Sequence, residues 1–211
     1  SFKRWSMFPR TARTILSGFT HILANGEVNA ARFEKLGAGR VTSLPNLKFI
    51  ADPLPVDPAA LAPFQTAINH RPVWMYASTH ADEETIAAHV HIALKPDFQN
   101  LLTIIALRHP GRIDDVIAAL APLHLKIERR THAKTPAPDT DIYIVDTMGD
   151  LGMFFATCPV AMVGRSFSRD GGGGHNPIEP ALFGCYPLSG PHVQNLTTIY
   201  DPMMTAQAAE I

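Results

Sequence analysis

Leu101 to Ala106 is an almost continuous apolar run, and it constrains the fold more than any other stretch of the chain. Such a run marks a strand buried on both faces, which belongs to a parallel sheet with helices above and below it. The segments around it have the matching alternation. Val73 to Ala77 reads as a strand. Thr79-His-Ala-Asp82 resembles a capping box, with Thr79 as N-cap and Asp82 at N3, and opens a helix that reaches about Leu94 before Pro96. Ile113 to Leu120 is helical, Leu125 to Glu128 and Ile142 to Val145 are strands, and Gly149 to Thr157 is a short helix. Val160 to Val163 is a strand, Gly171 to Gly174 a loop, Ile178 to Phe183 a helix ended by Gly184, and Tyr186 to Leu188 a strand. Beyond Gly190 the pattern is that of an uncapped helix. Strand alternating with helix predicts an α/β fold of Rossmann-like type, a mainly parallel sheet with helices on both faces.

The first part of the chain alternates in the same way. Pro9 to Phe19 is a helix, His21 to Ala24 a strand, Glu27 to Leu36 a helix that stops at Gly37, and Arg40 to Leu44 a strand. Residues 51–58 then hold three prolines, Pro53, Pro55 and Pro58. Proline fixes φ and removes a donor, so this is a linker or a surface crossing. A domain boundary is placed near residue 50, dividing the chain into 1–50 and 51–211.

Composition agrees with a globular protein: 46% of the 211 residues are hydrophobic and 18% charged. A chain of this size can bury a large core without disulfide or metal staples. Cys158 and Cys185 lie in apolar surroundings and lack metal-ligand spacing, so they read as buried free thiols, which fits a reducing cytoplasm. No stretch approaches 18 continuous apolar residues, and no signal peptide is visible. The net charge of −1 hides an asymmetry: residues 1–48 carry eight Lys/Arg against two Asp/Glu. Phe2, Trp5, Phe8 and Phe19 are interleaved with these cations. A basic aromatic stretch suits an anionic membrane or nucleic acid; the plainer reading is a solvated helix face with its core residues.

Ligands of open α/β sheets sit beyond the carboxyl ends of the strands. Four places stand there. Ser78-Thr79-His80 offers hydroxyls and helix-start N–H groups to a phosphate, or is a plain cap. Arg108-His109-Pro110 offers charge-assisted bonds to phosphate or carboxylate, or is a surface loop. Asp146-Thr147-Met148-Gly149-Asp150 lets a ligand approach the backbone at Gly149, or is a tight turn into a helix. In Gly171-to-Pro180, Asn176 is the N-cap before Pro177, and Glu179 either compensates the helix dipole or holds ribose hydroxyls. Several chemistries are unsupported: there is no dinucleotide glycine fingerprint, no Walker-type loop and no nucleophile elbow. His89 and His91 face different ways on a helix, and no zinc-ligand spacing appears among the ten histidines.

These places occur in an order that resembles the 3-deoxy-D-manno-octulosonic acid (Kdo) transferases of lipopolysaccharide biosynthesis, which are GT-B glycosyltransferases. The resemblance is carried by Ala77-Ser-Thr-His-Ala-Asp-Glu-Glu84, Arg108-His-Pro-Gly-Arg112, Asp146-Thr-Met-Gly-Asp-Leu-Gly-Met153, Gly173-Gly-His-Asn-Pro-Ile-Glu-Pro-Ala181 and Gly190-Pro-His192. Asn46-Leu-Lys-Phe49 and Ser1-Phe-Lys-Arg-Trp5 add weaker support. The chain departs from the family pattern at Asn46, Gly111, Ala81-Asp82, Arg165 and Ser166 to Asp170, which bears on the shape of the glycine loop.

The resemblance implies that residues 51–211 form the C-terminal donor half of a GT-B fold and that residues 1–50 are the tail of the N-terminal acceptor half. It implies transfer of Kdo from CMP-Kdo to a lipid A precursor at the cytoplasmic face of a Gram-negative inner membrane. The partners would be CMP-Kdo, the lipid A precursor and an anionic membrane surface, with no nucleic acid, metal or further cofactor. Donor contacts would fall on Arg108, His109, Met148, Gly149, Asp150, Gly173, Gly174, Asn176, Glu179 and Thr79. The family's general base is a Glu early in the N-terminal half, so no residue here is assigned to it. The chain is expected to be truncated at both ends and inactive alone. A GT-B transferase for another nucleotide sugar and a non-catalytic nucleotide-binding module are the alternatives.

Overall fold

The computed structural model describes residues 2–44, 52–168 and 172–211. It divides into two units, Ser1–Asp52 and Pro53–Ile211. Asn46 to Phe49, Asp170, Gly171 and the boundary position near residue 50 lie outside the described residues.

The first unit holds helices α1 (Phe2–Ser6) and α2 (Pro9–Leu16), then strand β1 (Ile22–Asn25), helix α3 (Glu27–Lys35) and strand β2 (Val41–Leu44). β1 and β2 pair in parallel from Ile22↔Val41 to Asn25↔Leu44, so α3 is the crossover a parallel pair requires. Pro9 stands in the first turn of α2. α3 ends at Gly37, whose φ of +91° suits glycine, and the following Ala38 N–H reaches back to the Phe33 carbonyl at 3.1 Å. Among the described residues of this unit, the buried ones are three alanines, Ala12, Ala24 and Ala30.

The second unit runs α4 (Pro58–Ile68), β3 (Val73–Thr79), α5 (Glu83–Leu94), β4 (Leu102–Leu107), α6 (Ile113–Leu120), β5 (Ile127–Arg129) and β6 (Ile142–Val145). It continues with α7 (Leu151–Phe155), β7 (Val160–Val163), α8 (Ile178–Ala181), β8 (Tyr186–Ser189) and α9 (Thr197–Thr205). The six strands form one sheet in the order β5-β6-β4-β3-β7-β8, with every pair parallel. From β3 the chain moves to β4; from β7 it moves the other way, to β8. The strand order therefore reverses between β3 and β7, and the crevice at their carboxyl ends is where such sheets take ligands.

Alternate residues of the central strands enter opposite cores. Met75, Ala77, Ile104, Ala106, Tyr143 and Val145 pack with Phe64 and Ile68 of α4 and Phe154 and Phe155 of α7. Tyr76, Ile105, Leu107, Ile142 and Ile144 pack on the other face with Ala87 and Ala88 of α5 and Val116 and Leu120 of α6. Every residue of β4 is buried, which is why the run had to be apolar throughout. A third cluster joins Ile199, Tyr200 and Met203 of α9 to Ile178 and Val193. Both cysteines are free and buried, and burial pushes the Cys185 thiol up to about 12.

The elements at Ile113–Leu120, Ile142–Val145 and Val160–Val163 match the sequence reading at both ends. Helix α1 (Phe2–Ser6) was not expected, and two further features differ. α4, which carries Pro63 inside it, was not expected; Asp57 accepts the Ala59 N–H at 2.9 Å, Pro58 starts the helix, and burial of Phe64 and Ile68 offsets the helix cost of Pro63. The expected Thr79/Asp82 capping box is not formed. Thr79 is still in β3, Asp82 is left-handed with φ of +75° and makes no side-chain cap bond, and α5 starts at Glu83. Pro53 to Asp57 is irregular, and it crosses so close to α7 that a Cβ on Gly152 would stand 2.5 Å from the Pro55 carbonyl oxygen.

Candidate functional site

The carboxyl ends of β3, β4, β6, β7 and β8 carry all the sequence-predicted segments, and a buried carboxylate organises two of them. Glu83, at the first position of α5, is fully buried. Its Oε2 accepts the N–H groups of His80 (2.9 Å) and Arg165 (2.8 Å), and its Oε1 accepts those of Ser166 and Phe167, both at 3.0 Å. Four charge-assisted bonds thus tie the turn after β3 to the loop after β7. Glu84 holds the next turn: it accepts the Thr79 hydroxyl at 2.8 Å and a fork from Arg112 at 2.9 and 3.3 Å.

The backbone at this edge is unusual. Ser78, Asp82 and Arg165 have φ of +58°, +75° and +60°, a region non-glycine residues rarely occupy. The register shift between Ala77 and Thr79 is a bulge at the end of β3. Gly164 lets the chain leaving β7 pass it: a Cβ there would lie 2.3 Å from the Ser78 carbonyl oxygen. Strain of this kind persists where the surroundings over-determine it, and it gathers at binding sites.

The result is a knot of cationic and imidazole side chains at the switch point. His80 Nε2 lies 3.1 Å from His175 Nε2, and the two rings are 5.2 Å apart. The His109 ring stands edge-on to His80 at 5.6 Å. His175 is lowered to about 4, first by burial and then by the charges of His80, Arg108, Arg165 and His109. Arg108 follows β4 directly, is exposed, and anchors its N–H on the Thr79 carbonyl at 3.2 Å. An electropositive crevice of this composition is suited to anions. Among the described residues, no group of three His, Cys, Asp or Glu is arranged to hold a metal ion.

The glycine loop is bound to its neighbours through its own N–H groups. Gly173 donates to His192 O, Gly174 to Arg165 O and His175 to Gly164 O, at 3.1 to 3.2 Å. Gly173 has φ of +116°, which other residues rarely adopt, and a Cβ there would lie 2.2 Å from Asn195 Nδ2, so a substitution would be strained and would displace the Asn195 side chain. Asn176 Oδ1 accepts the Ile178 N–H at 3.3 Å and its Nδ2 donates to Glu179 Oε1 at 3.3 Å, but α8 starts one residue later than expected, so the N-cap position falls on Pro177 and not on Asn176. Glu179 is half-buried in the first turn of α8.

The remaining predicted residues lie on the β6 side. Met148 is 67% exposed, and Gly149 has φ of +91° with open space where a Cβ would point. The Asp150 side chain is engaged within the protein: it accepts from Arg130 Nε at 2.7 Å and Thr147 Oγ1 at 2.5 Å, and these bonds hold it below the usual carboxylate range against the opposing effect of burial. Asp146 is likewise internal, accepting from Thr131 and Arg129. Thr79 is a correction: it is fully buried and its hydroxyl is directed at Glu84, so it braces the turn and presents nothing to a ligand.

Sequence reasoning missed His80, His175, Arg165 and Glu83 as site builders. His80 and His175 stand inside the quoted motifs, but 95 residues separate them, and no local spacing reveals their contact.

Comparison with known proteins places this geometry among relatives. A family model described as 3-Deoxy-D-manno-octulosonic-acid transferase (kdotransferase) matches residues 1–51. The chain is 31% identical over 99% of its length to the 3-deoxy-D-manno-octulosonic acid transferase of Rickettsia felis, of which it covers 44%. It is 34% identical over 65% of its length to the enzyme of that name from Haemophilus influenzae, covering 32% of it. The chain thus spans less than half the length of these curated relatives. Among solved structures it is similar to the C-terminal CMP-Kdo binding domain of WaaA from Acinetobacter baumannii, with 30% identity and a TM-score of 0.66, over 72% of this chain and 81% of that one.

Proposed function

The chain belongs to the 3-deoxy-D-manno-octulosonic acid transferase family, and on that premise we propose that residues 51–211 bind the donor CMP-Kdo for a glycosyl transfer. The observation that carries this reading is the electropositive crevice between β3 and β7, in a unit similar to a CMP-Kdo binding domain. Arg108 takes the phosphate of the donor. Glu179, oriented by Asn176, takes the ribose hydroxyls. The backbone at Met148, Gly149 and Asp150 borders the nucleotide from the β6 side, and Gly173 and Gly174 shape the wall opposite. His109 lines the crevice next to Arg108.

In the transfer, an acceptor hydroxyl loses its proton to a general base and its oxygen attacks the anomeric carbon of Kdo. The bond from that carbon to the phosphate oxygen breaks, and CMP leaves with the electron pair. The arginine and imidazole groups stabilise the charge that grows on the leaving phosphate, so the reaction as proposed uses no metal or further cofactor. The base is not assigned to any residue of this chain. The acceptor is a lipid A precursor of lipopolysaccharide synthesis, and residues 1–50 belong to the acceptor side. Their basic aromatic character suits the anionic cytoplasmic face of the inner membrane. Among the described residues, no helix is long and apolar enough to cross a membrane.

Calorimetric titration with CMP, with UMP and AMP as controls, tests the donor reading. CMP is expected to bind preferentially, and Arg108→Ala and Glu179→Ala are each expected to weaken it about tenfold, the loss of one charge-assisted contact. Equal binding of the three nucleotides, or none by the folded protein, would overturn the reading.

A further inference from the structure

The turn after β6 carries a carboxylate whose two oxygens stand in different surroundings. Asp150 Oδ2 accepts two hydrogen bonds, from Arg130 Nε at 2.7 Å and from Thr147 Oγ1 at 2.5 Å. Among the described residues nothing donates to Oδ1, and the side chain is 31% exposed. The other polar side chains of the segment are occupied. Asp146 Oδ1 accepts the Thr131 N–H, and its Oδ2 accepts the Thr131 hydroxyl and Arg129 Nε. The Thr147 hydroxyl is committed to Asp150. Met148 is exposed and Gly149 has open space where a Cβ would point, so the turn is open to a ligand.

We propose that Asp150 Oδ1 reads the base of the donor, accepting the 4-amino group of cytosine and rejecting the 4-carbonyl of uracil. This rests on the donor reading above and deepens it, from the nucleotide to the feature of its base that is recognised. With the phosphate on Arg108 and the ribose on Glu179, the base is the part left to meet the β6 side. At position 4 cytosine has an amino group that donates, where uracil has an oxygen that accepts. A carboxylate accepting from that amino group is a recurrent way of reading cytosine. Asp150 is suited to it because an ionised carboxylate only accepts. Burial opposes its charge, but the hydrogen bonds of Thr147 and Arg130 outweigh burial and keep it ionised near neutrality. Cytosine therefore gains a charge-assisted bond, while uracil would set two acceptors against each other.

Arg130 fixes which atom does the reading. It is buried, its guanidinium lies 5.3 Å from the centre of the Phe154 ring, and its Nη1 donates to the Lys134 carbonyl at 2.9 Å. An arginine can only donate, so the atom of residue 150 that faces Nε must accept. In Asp150→Asn the amide oxygen accordingly stays with Arg130, and Nδ2 takes the place of Oδ1. The acceptor offered to the base becomes a donor, which suits uracil and opposes cytosine.

The test is calorimetric titration of the wild type, Asp150→Asn and Asp150→Ala with CMP and UMP, and of the wild type with CMP dimethylated on its 4-amino group. The wild type is expected to prefer CMP. Asp150→Ala is expected to lose about tenfold in CMP affinity, with UMP held within about twofold. Asp150→Asn is expected to invert the preference and bind UMP the more tightly. A merely structural role for Asp150 would weaken both nucleotides alike. The dimethylated CMP has no N–H to donate and is expected to bind the wild type about tenfold more weakly than CMP, a result that needs no variant to fold. Thermal melts check the variants. A wild type that prefers CMP, with folded variants that keep the preference or with undiminished binding of the dimethylated nucleotide, would overturn this inference and leave the donor reading standing. Equal binding of CMP and UMP by the folded wild type, or binding of neither, would overturn both.

Discussion

The two units are made from the same local parts and differ in what those parts bury. Each contains a strand, a helix and a second strand parallel to the first. In the second unit that motif is layered: β3 and β4 send alternate side chains into two cores, and large aromatic residues such as Phe64, Tyr143 and Phe154 are fully enclosed. In the first unit, only alanines are buried among the described residues, while Leu23 on β1 is 63% exposed and Val28 on α3 is 62% exposed. Periodicity therefore specifies connectivity but not a core. A two-stranded sheet with a helix has one apolar interface and little area to remove from water, whereas a six-stranded sheet with helices on both faces has two.

The comparison has measurable consequences. The largest concerns the enclosed aromatics. Phe64→Ala is expected to destabilise the second unit by about 3–5 kcal/mol in denaturant unfolding, through lost transfer free energy and the cavity left behind. A cost below about 1 kcal/mol would mean that α4 is not part of that core. The second concerns the polar organiser of the site. Glu83→Gln presents an amide N–H to donors that need an acceptor, and should cost about 3 kcal/mol. It should also raise hydrogen exchange at Arg165, Ser166 and Phe167. Unchanged protection there would show that the β7 loop is held by other contacts.

The third sets the acid response of the two units apart. His91 and His175 are held below their ordinary value, chiefly by burial, so the unfolded chain binds protons more readily. Stability from these groups is present above about pH 6.5, the ordinary value of an imidazole, and is lost as pH falls toward their folded values. Asp146 and Asp150 are held below 3.8 by the hydrogen bonds of Thr131 and Arg129 and of Thr147 and Arg130, which outweigh burial. Their stability is present above that value and is lost below it. Acid unfolding of the second unit should therefore begin near pH 6 and steepen below about pH 4. His91→Gln should remove part of the first phase and Asp146→Asn part of the second; a single transition unaffected by either would contradict the assignment. The smallest effect belongs to the first unit. Phe8, 58% exposed, has little packing to lose, so Phe8→Ser should change stability by no more than about 0.5 kcal/mol. A cost like that of Phe64→Ala would break the comparison, because it would show that Phe8 is buried in solution.

Much of the fold was legible because its signals are local. The apolar run at Leu101 to Ala106 announced a strand covered on both faces, and Gly37 and Gly184 marked helix ends through their backbone freedom. Helix α4 was hidden because its propensity argues against it; Pro63 is tolerated only where Phe64 and Ile68 reach a core that other segments build. At the site, the segments beyond each strand were identifiable, since parallel topology sends them to one edge. The duties of individual side chains were not. Thr79 looked like a cap, but a carboxylate 4 residues further on takes the local N–H group together with three donors from the loop after the neighbouring strand β7.

The sequence by itself determined the alternation, the parallel sheet, the family and the segments that border the crevice. These follow from period, turn chemistry and short motifs, each of which acts within a few residues. Only the tertiary structure decided which groups meet there. His80 touches His175 because β3 and β7 are neighbours at the point where strand order reverses, and Glu83 is buried because two loops deliver their N–H groups to it. Contacts between residues some 80 to 95 positions apart depend on strand order and register, which set the positions of side chains that no local pattern relates.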